Sequence, residues 1–290
     1  MPTSENSGGA SISTERGQFK IAIVAHFFYE AQARLIIELL KKLPLDFDLY
    51  VSAPSEKEAF VKALLADASD RRKSVFEKVL NRGFDIAPFI CSFGGFYAAY
   101  DLVIKIHTKQ TRHVPWLKGW GEYLLLNTVG SPKVVGDILK MFAADERLGI
   151  VYPEVVPPLK QELDEDAWQE NWEHCRDLSS RLGLSISKET QAVFPAGSMF
   201  WFRPKALKSL FRLGIVPDDF PEGRRILRNG TLAHAVERLL VLIAEKEGFC
   251  TRTICFEPFK TIRAGSLWDR MKNKAHSEWN RILDFVGVNR

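Results

Sequence analysis

The chain has 290 residues, 46% of them hydrophobic and 26% charged, enough to bury a substantial core as one large domain or two small ones. Its 40 Lys and Arg are balanced almost everywhere by 36 Asp and Glu, for a formal charge of +4, which argues against bulk nucleic-acid binding and leaves only local anion sites open. The four cysteines, Cys91, Cys175, Cys250 and Cys255, form no Cys-x-x-Cys pair and no metal spacing with the six histidines, and read as reduced, buried and inert thiols of a cytoplasmic protein.

Residues 1–17, rich in Ser, Gly, Thr and Glu, read as a disordered tail, with the folded domain expected over 18–260. The apolar run from Phe19 to Ala25, ending at His26, predicts a strand, and Leu35, Ile36, Leu39, Leu40 and Leu43 follow it at helical spacing. Leu49 to Ala53 predicts a second strand, Glu56 to Leu65 a second helix and Ser74 to Leu80 a third strand, a β-α-β-α series that implies a mostly parallel α/β sheet flanked by helices. A turn at Gly83 and a helix near Ala87–Ala99 precede a fourth strand within Tyr100–Lys109.

Ser131-Pro132 has the N-cap and first-turn residues of a helix whose buried stripe is Val134, Val135, Ile138, Leu139 and Phe142. Leu148 to Tyr152 predicts another strand, and the acidic stretch from Pro157 to Glu173 reads as an inserted loop or lid. Phe194 to Phe202 is a small-residue turn entering an apolar strand, and Pro204 opens a helix with Leu207 and Leu210. A further helix begins after Asn229-Gly230-Thr231, with Leu232, Val236, Leu239, Leu240 and Ile243 toward the core. Residues 261–290 alternate Trp268, Met271, Trp279, Ile282, Leu283 and Phe285 with Arg and Lys, an amphipathic helical tail or linker. No apolar run reaches the ~18 residues of a membrane span, so membrane contact would be peripheral.

Chemistry concentrates in Tyr100–Lys109. Strand side chains alternate between faces, so Lys105, His107 and Lys109 project together while Leu102, Ile104 and Ile106 project oppositely. Open α/β sheets bind ligands at the carboxyl ends of their strands, and a phosphate or diphosphate suits three cationic or protonatable groups there. The plain alternative is a strand leaving the core into a solvated basic loop. Upstream, Asn81, Arg82 and Asp85 bring polar groups to one turn and Gly83 permits a positive φ, unless the loop merely caps its own helix through Asp85. His234 and Arg238 are one helical turn apart, with Glu237 on a neighbouring face.

The blocks Asn81–Phe89, Tyr100–Lys109, Phe194–Pro204 and Gly230–Arg238, together with His26-Phe27-Phe28-Tyr29 after the first strand, resemble the rhamnan-synthesis F family of bacterial polysaccharide glycosyltransferases, in family order over most of the chain. The resemblance implies a GT-A-like fold that transfers a sugar from a nucleotide-diphosphate donor to a polysaccharide or lipid-linked glycan acceptor. Rhamnose, from dTDP-rhamnose, is the family's namesake sugar and O-antigen or rhamnan synthesis the implied setting, at the inner face of the cell membrane beside other glycosyltransferases. In this light His26, Asn81, Arg82, Gly83, Asp85, Lys105, His107 and Lys109 would hold the donor, and Gly197, Ser198, Trp201, His234, Glu237 and Arg238 the acceptor. Ala196, Gly197 and Ser198 would leave room for a sugar ring stacked on Trp201, with Trp116 and Trp120 as an acceptor wall and Phe200 and Phe202 in the core. Asn229 stands where the family usually has Asp, and caps a helix equally well.

Most GT-A enzymes carry a metal-binding Asp-x-Asp at the end of the strand that bears Lys105 here. No divalent metal is expected in this chain, because Lys105, His107 and Lys109 would supply positive charge directly. Asp46-Phe47-Asp48 falls at the amino end of a strand and Asp164-Glu165-Asp166 in the acidic loop, and both read as solvated. An inverting transfer needs a base for the acceptor hydroxyl, and of Asp218, Asp219 and Glu222 the choice falls on Glu222 first and Asp219 second. A competing class is a non-catalytic GT-A-like module that binds glycan or a partner synthase. A phosphate-handling enzyme unrelated to sugars is disfavoured by the lack of a Walker-type loop.

Overall fold

A computed structural model describes residues 19–67, 73–110, 117, 119–221 and 229–255, the Pro158 side chain excepted. The two expected tails, Trp116 and Glu222 lie outside the described residues. The elements in chain order are β1 (Ile21–His26), α1 (Glu30–Lys41), β2 (Asp48–Pro54), α2 (Glu58–Asp67), β3 (Ser74–Val79), β4 (Leu102–His107), α3 (Trp120–Val129), α4 (Pro132–Ala144), β5 (Leu148–Pro153), α5 (Pro157–Glu165), α6 (Trp172–Leu182), β6 (Phe200–Phe202), α7 (Lys208–Phe211), α8 (Leu232–Lys246) and β7 (Cys250–Ile254).

The strands form one seven-stranded sheet in the order β3-β2-β1-β4-β6-β5-β7, parallel except for β6, which runs antiparallel to β4 and β5. This is the mostly parallel α/β sheet flanked by helices that the sequence implies. β1 and β4 are central and buried on both faces, and their apolar, β-branched composition suits that position. The alternation falls as read from the sequence: Leu102, Ile104 and Ile106 join the core under α1–α4, and Val103 the core under α6 and α8. Pairing of His26 with His107 sets the carboxyl ends of β1 and β4 side by side. Ser131 caps α4 as expected, its Oγ accepting the Val134 N–H at 3.3 Å.

Three segments depart from expectation. Ala87–Ala99 is not a regular helix but a π-helical turn, Pro88–Ser92, followed by a 3-10 turn, Tyr97–Ala99, because the Gly94-Gly95 pair between them opposes helix propagation. The acidic Pro157–Glu173 stretch holds α5 and the start of α6: Lys160 and Asp164 pair at 2.7 Å one turn apart, and Leu159 and Leu163 pack on the core. Helix α3 left no amphipathic signal because Tyr123 to Val129 are buried all round. All four cysteines are free, but only Cys175 is buried, Cys91 and Cys255 are half-buried and Cys250 is exposed. Burial pushes the Cys91 and Cys175 thiols up to about 11 and about 12, so both stay protonated and inert.

Candidate functional site

Lys105 is 1% exposed, and the strand aims its ammonium at a turn from each side of the sheet edge. The ammonium donates to Asp85 Oδ2, to the Ser198 carbonyl at 2.8 Å and to Ser198 Oγ at 2.7 Å, and it lies over the rings of Phe89 and Phe200. Ser198 Oγ donates in turn to Asp85 Oδ2 at 2.6 Å. An ammonium has three protons, and all three have protein acceptors here. Lys105 therefore locks Asp85 to the Ser198 turn, and all three of its protons are engaged within the protein. Burial alone would raise the Asp85 pKa, but the Lys105 ammonium and the hydrogen bonds from Lys105 and Ser198 outweigh it and hold the carboxylate ionised, well below the usual range.

Both turns are built on positive-φ backbone. Gly83 (φ 61°) and Phe84 (φ 54°) precede Asp85, and a Cβ on Gly83 would lie 2.6 Å from Ala87 Cβ and from the Phe220 ring. Gly197 (φ 87°) and Ser198 (φ 57°) form the facing turn, and a Cβ on Gly197 would lie 2.4 Å from Leu124 Cδ1. The space beside Gly197 is thus filled by Leu124 and Trp120, not open to a sugar ring, and Ser198 is 4% exposed with both its oxygens engaged. Trp201 cannot stack on a sugar either: it is fully buried, and its Nε1–H donates to the Thr128 carbonyl at 2.9 Å, while Phe200 and Phe202 are core residues as expected. Arg238 is also turned inward, donating to the Ala167 carbonyl, Gln169 Oε1 and Asn229 Oδ1 at 2.9, 2.8 and 3.2 Å. Its task is to tie α8 to the segment before α6, and Asn229 serves as one of its acceptors.

The remaining groups keep unused capacity around the ends of β1 and β4. His107 Nδ1 stands 3.5 Å from Asp85 Oδ2 and makes no hydrogen bond among the described residues. Burial, reinforced by Lys105, Lys109 and His26 against the pull of Asp85, drives its pKa well below the ordinary value, so the ring is neutral. Burial lowers His26 to about 4, with Nδ1 3.0 Å from Ser52 Oγ, and His234 likewise to about 4, with Nδ1 2.7 Å from Thr231 Oγ1. Lys109 is half-buried with its ammonium 4.4 Å from the Trp120 ring centroid, and among the described residues no carboxylate pairs with it. Its backbone is fixed by Gln32, whose Nε2 donates to the Lys109 carbonyl at 2.6 Å, and by Thr108, whose Oγ1 accepts the Phe28 and Tyr29 N–H groups. Glu237 accepts the Gly197 N–H at 2.6 Å. Burial raises its pKa despite the opposing pull of Lys109 and Arg238.

Beside this cluster an open pocket of about 610 Å³ is lined by Arg82, Asp218, Asp219, Phe220, His174 and Thr231, among others. Arg82 pairs with Asp218 at 2.6 Å, and exposed Asp219 closes its own short turn by accepting the Val216 N–H at 2.9 Å. Asn81 is exposed at the head of the Gly83 turn. The structure thus gathers His26, Asp85, Lys105, His107, Lys109, His234 and Glu237, and sets Arg82 and Asp219 to one side. Gln32 and Thr108 escaped the sequence reading. A signal for Thr108 was its place between His107 and Lys109, and Gln32 showed only as a polar residue on an otherwise apolar helix face.

Among the described residues no set of ligands for a divalent cation converges. Asp85 Oδ2 is taken by Lys105 and Ser198, two ammonium groups flank the site, and no three His, Cys, Asp or Glu side chains among the described residues converge on a point. Asp48 bonds Tyr100, Asp164 pairs with Lys160 and Asp166 accepts the Trp168 and Gln169 N–H groups, so both Asp-x-Asp triplets serve local structure.

Among known proteins, the chain is 31% identical over 176 residues to the uncharacterized protein WxcX of Xanthomonas campestris pv. campestris, in two strains, covering 60% of this chain and 24% of the relative. The chain thus spans about a quarter of the length of these curated relatives. Among solved structures it is similar to the mannosyltransferase PcManGT from Pyrobaculum calidifontis in complex with GDP-Man and Mn²⁺, with TM-score 0.45 and 14% identity over 83% of this chain and 55% of that one. A second similar structure is apo mouse xyloside xylosyltransferase 1, with TM-score 0.39 and 11% identity over 86% and 92%. Both are too distant to speak for the site. The model of the rhamnan synthesis protein F family matches residues 9–249, the span that carries the first six strands and the whole charged cluster, and the chain belongs to that family.

Proposed function

We propose that this protein is a GT-A-like glycosyltransferase that moves a sugar, rhamnose or another hexose, from a nucleotide-diphosphate donor to a polysaccharide or lipid-linked glycan in cell-surface polysaccharide synthesis. The observation that carries the reading is the pair of adjacent strand ends bearing Lys109, His107 and His26 around a fixed Asp85, at the sheet edge where open α/β folds bind ligands. The Lys109 ammonium, in no salt bridge among the described residues, is the charge available to a diphosphate leaving group. Transfer then needs no divalent metal, since Lys109 supplies that positive charge. The neighbouring polar pocket lined by Arg82, Asp219 and Thr231 suits a hydroxyl-rich acceptor, and Thr231 links it to the cluster through His234. Among the described residues no helix is long and apolar enough to cross a membrane, and contact with a membrane-borne acceptor is peripheral on this reading.

A thermal-shift screen of nucleotide sugars, dTDP-rhamnose among them, with and without Mg²⁺ or Mn²⁺, tests the proposal. A donor is expected to stabilise the protein in the absence of metal. Lys109→Ala is expected to weaken its binding about tenfold or more, as for loss of a charge-assisted contact. A shift that appears only with the cation overturns metal-free binding, and donor binding unchanged in Lys109→Ala overturns the assignment of the diphosphate site. Slow donor hydrolysis separates an enzyme from a binding module.

A further inference from the structure

We infer that Glu237 is the general base that takes the proton of the acceptor hydroxyl, and that the transfer therefore inverts the anomeric centre. The inference rests on the sugar-transfer reading above. Among the described residues two carboxylates belong to the cluster, Asp85 and Glu237, and their surroundings divide them. Asp85 is bound by Lys105 and Ser198 on one oxygen with His107 beside it, which makes it an ionised anchor and a poor proton acceptor. Glu237 receives one bond, from the Gly197 N–H at 2.6 Å, and that bond fixes one oxygen while the other is left to a substrate. It sits one turn along α8 from His234, half-buried, with Lys109 facing it from the loop after β4, Asp85 and Lys105 from across the sheet edge and Arg238 from its own helix. Its raised pKa, set first by burial, brings it nearer to neutral pH than an ordinary glutamate, as suits a base. Asp219 is by contrast exposed and closes its own turn.

In the proposed step the acceptor O–H bond breaks and its proton passes to the free oxygen of Glu237. The acceptor oxygen forms a bond to the anomeric carbon. The bond from that carbon to the donor phosphate oxygen breaks with its electron pair left on the diphosphate, beside Lys109, and the proton on Glu237 later passes to water.

Glu237→Gln keeps an oxygen to accept the Gly197 N–H, so it separates a structural role from a chemical one. With the full chain and the donor found in the screen, this variant is expected to bind donor as the wild type does and to lose about 10²–10⁴-fold in kcat. The acidic limb of the wild-type pH profile is expected to vanish with it. The product made by the wild type is expected to have the anomeric configuration opposite to that of the donor. A Glu237→Gln protein that transfers within about threefold of wild type, or a wild-type product of retained configuration, overturns the inference while leaving the sugar-transfer reading intact. If Glu237→Gln does not fold, the configuration of the wild-type product still decides. A wild type that binds and turns over no nucleotide sugar overturns both.

Discussion

Two polar networks sit at opposite edges of the same sheet, and they differ in what they leave over. At the amino edge, Tyr100 OH donates to Asp48 Oδ2 at 2.6 Å and meets Tyr50 OH at 2.7 Å, Lys73 reaches Tyr50 at 3.4 Å, and Phe96 stacks on Tyr50 with ring centroids 3.9 Å apart. Burial, helped by its bonds to Asp48 and Tyr50, pushes the Tyr100 hydroxyl above its usual range, so it stays a donor. Aromatic rings close this network, and its hydrogen bonds join the amino ends of β2 and β4. At the carboxyl edge one part, Lys105 with Asp85 and Ser198, is likewise bound within the protein. Around it His107, Lys109 and Glu237 retain capacity that no described residue uses. Surplus hydrogen-bonding capacity, more than charge itself, separates the candidate site from structural scaffolding.

The largest effect is expected from Lys105→Ala, which strands the Asp85 carboxylate in the protein. Loss of one partner of a buried pair costs about 3–5 kcal/mol, measurable by urea unfolding, and a cost under about 1 kcal/mol would show that the lysine is not the lock described. Acid should act next. His26 and His234 are held near 4 in the fold against 6.5 unfolded, so between those values the unfolded chain binds more protons. Stability should therefore fall as pH drops through that window, with a limiting slope of about 1.4 kcal/mol per pH unit for each histidine, and His234→Gln should remove its share. Tyr100→Phe, at the amino edge, should cost about 1–2 kcal/mol of stability and leave donor binding untouched. A loss of donor binding in that variant would erase the distinction between the two edges. Smallest in stability is Lys109→Ala, about 0.5–1 kcal/mol for the lost contact with the Trp120 ring, although it is the variant expected to weaken donor binding.

Much of the fold was legible because strand and helix signals are local. The β-α-β-α opening, the alternation along Leu102–His107 and the Ser131 cap each depend on residues a few positions apart. Two features that misled also have local causes: α3, buried all round, shows no periodicity, and the acidic composition of Pro157–Glu165 hid a helix held by its leucines. At the site, the sequence brought forward nearly every group of the cluster but misjudged what several of them do. Trp201 and Arg238 have the chemistry of sugar and phosphate contacts, yet both spend it inside the protein.

By itself the sequence determined the family, the mostly parallel sheet and the edge at which charge collects, since these follow from motif order, hydrophobic period and the chain direction of one strand. Only the tertiary structure decided which of those charges are free. Lys105 meets Asp85 from 20 residues upstream and Ser198 from 93 downstream, and Gly197 meets Glu237 across 40, distances at which no local pattern operates. Whether a lysine binds a ligand or its own protein depends on where its three protons go, and that is settled by chain segments which only folding brings together.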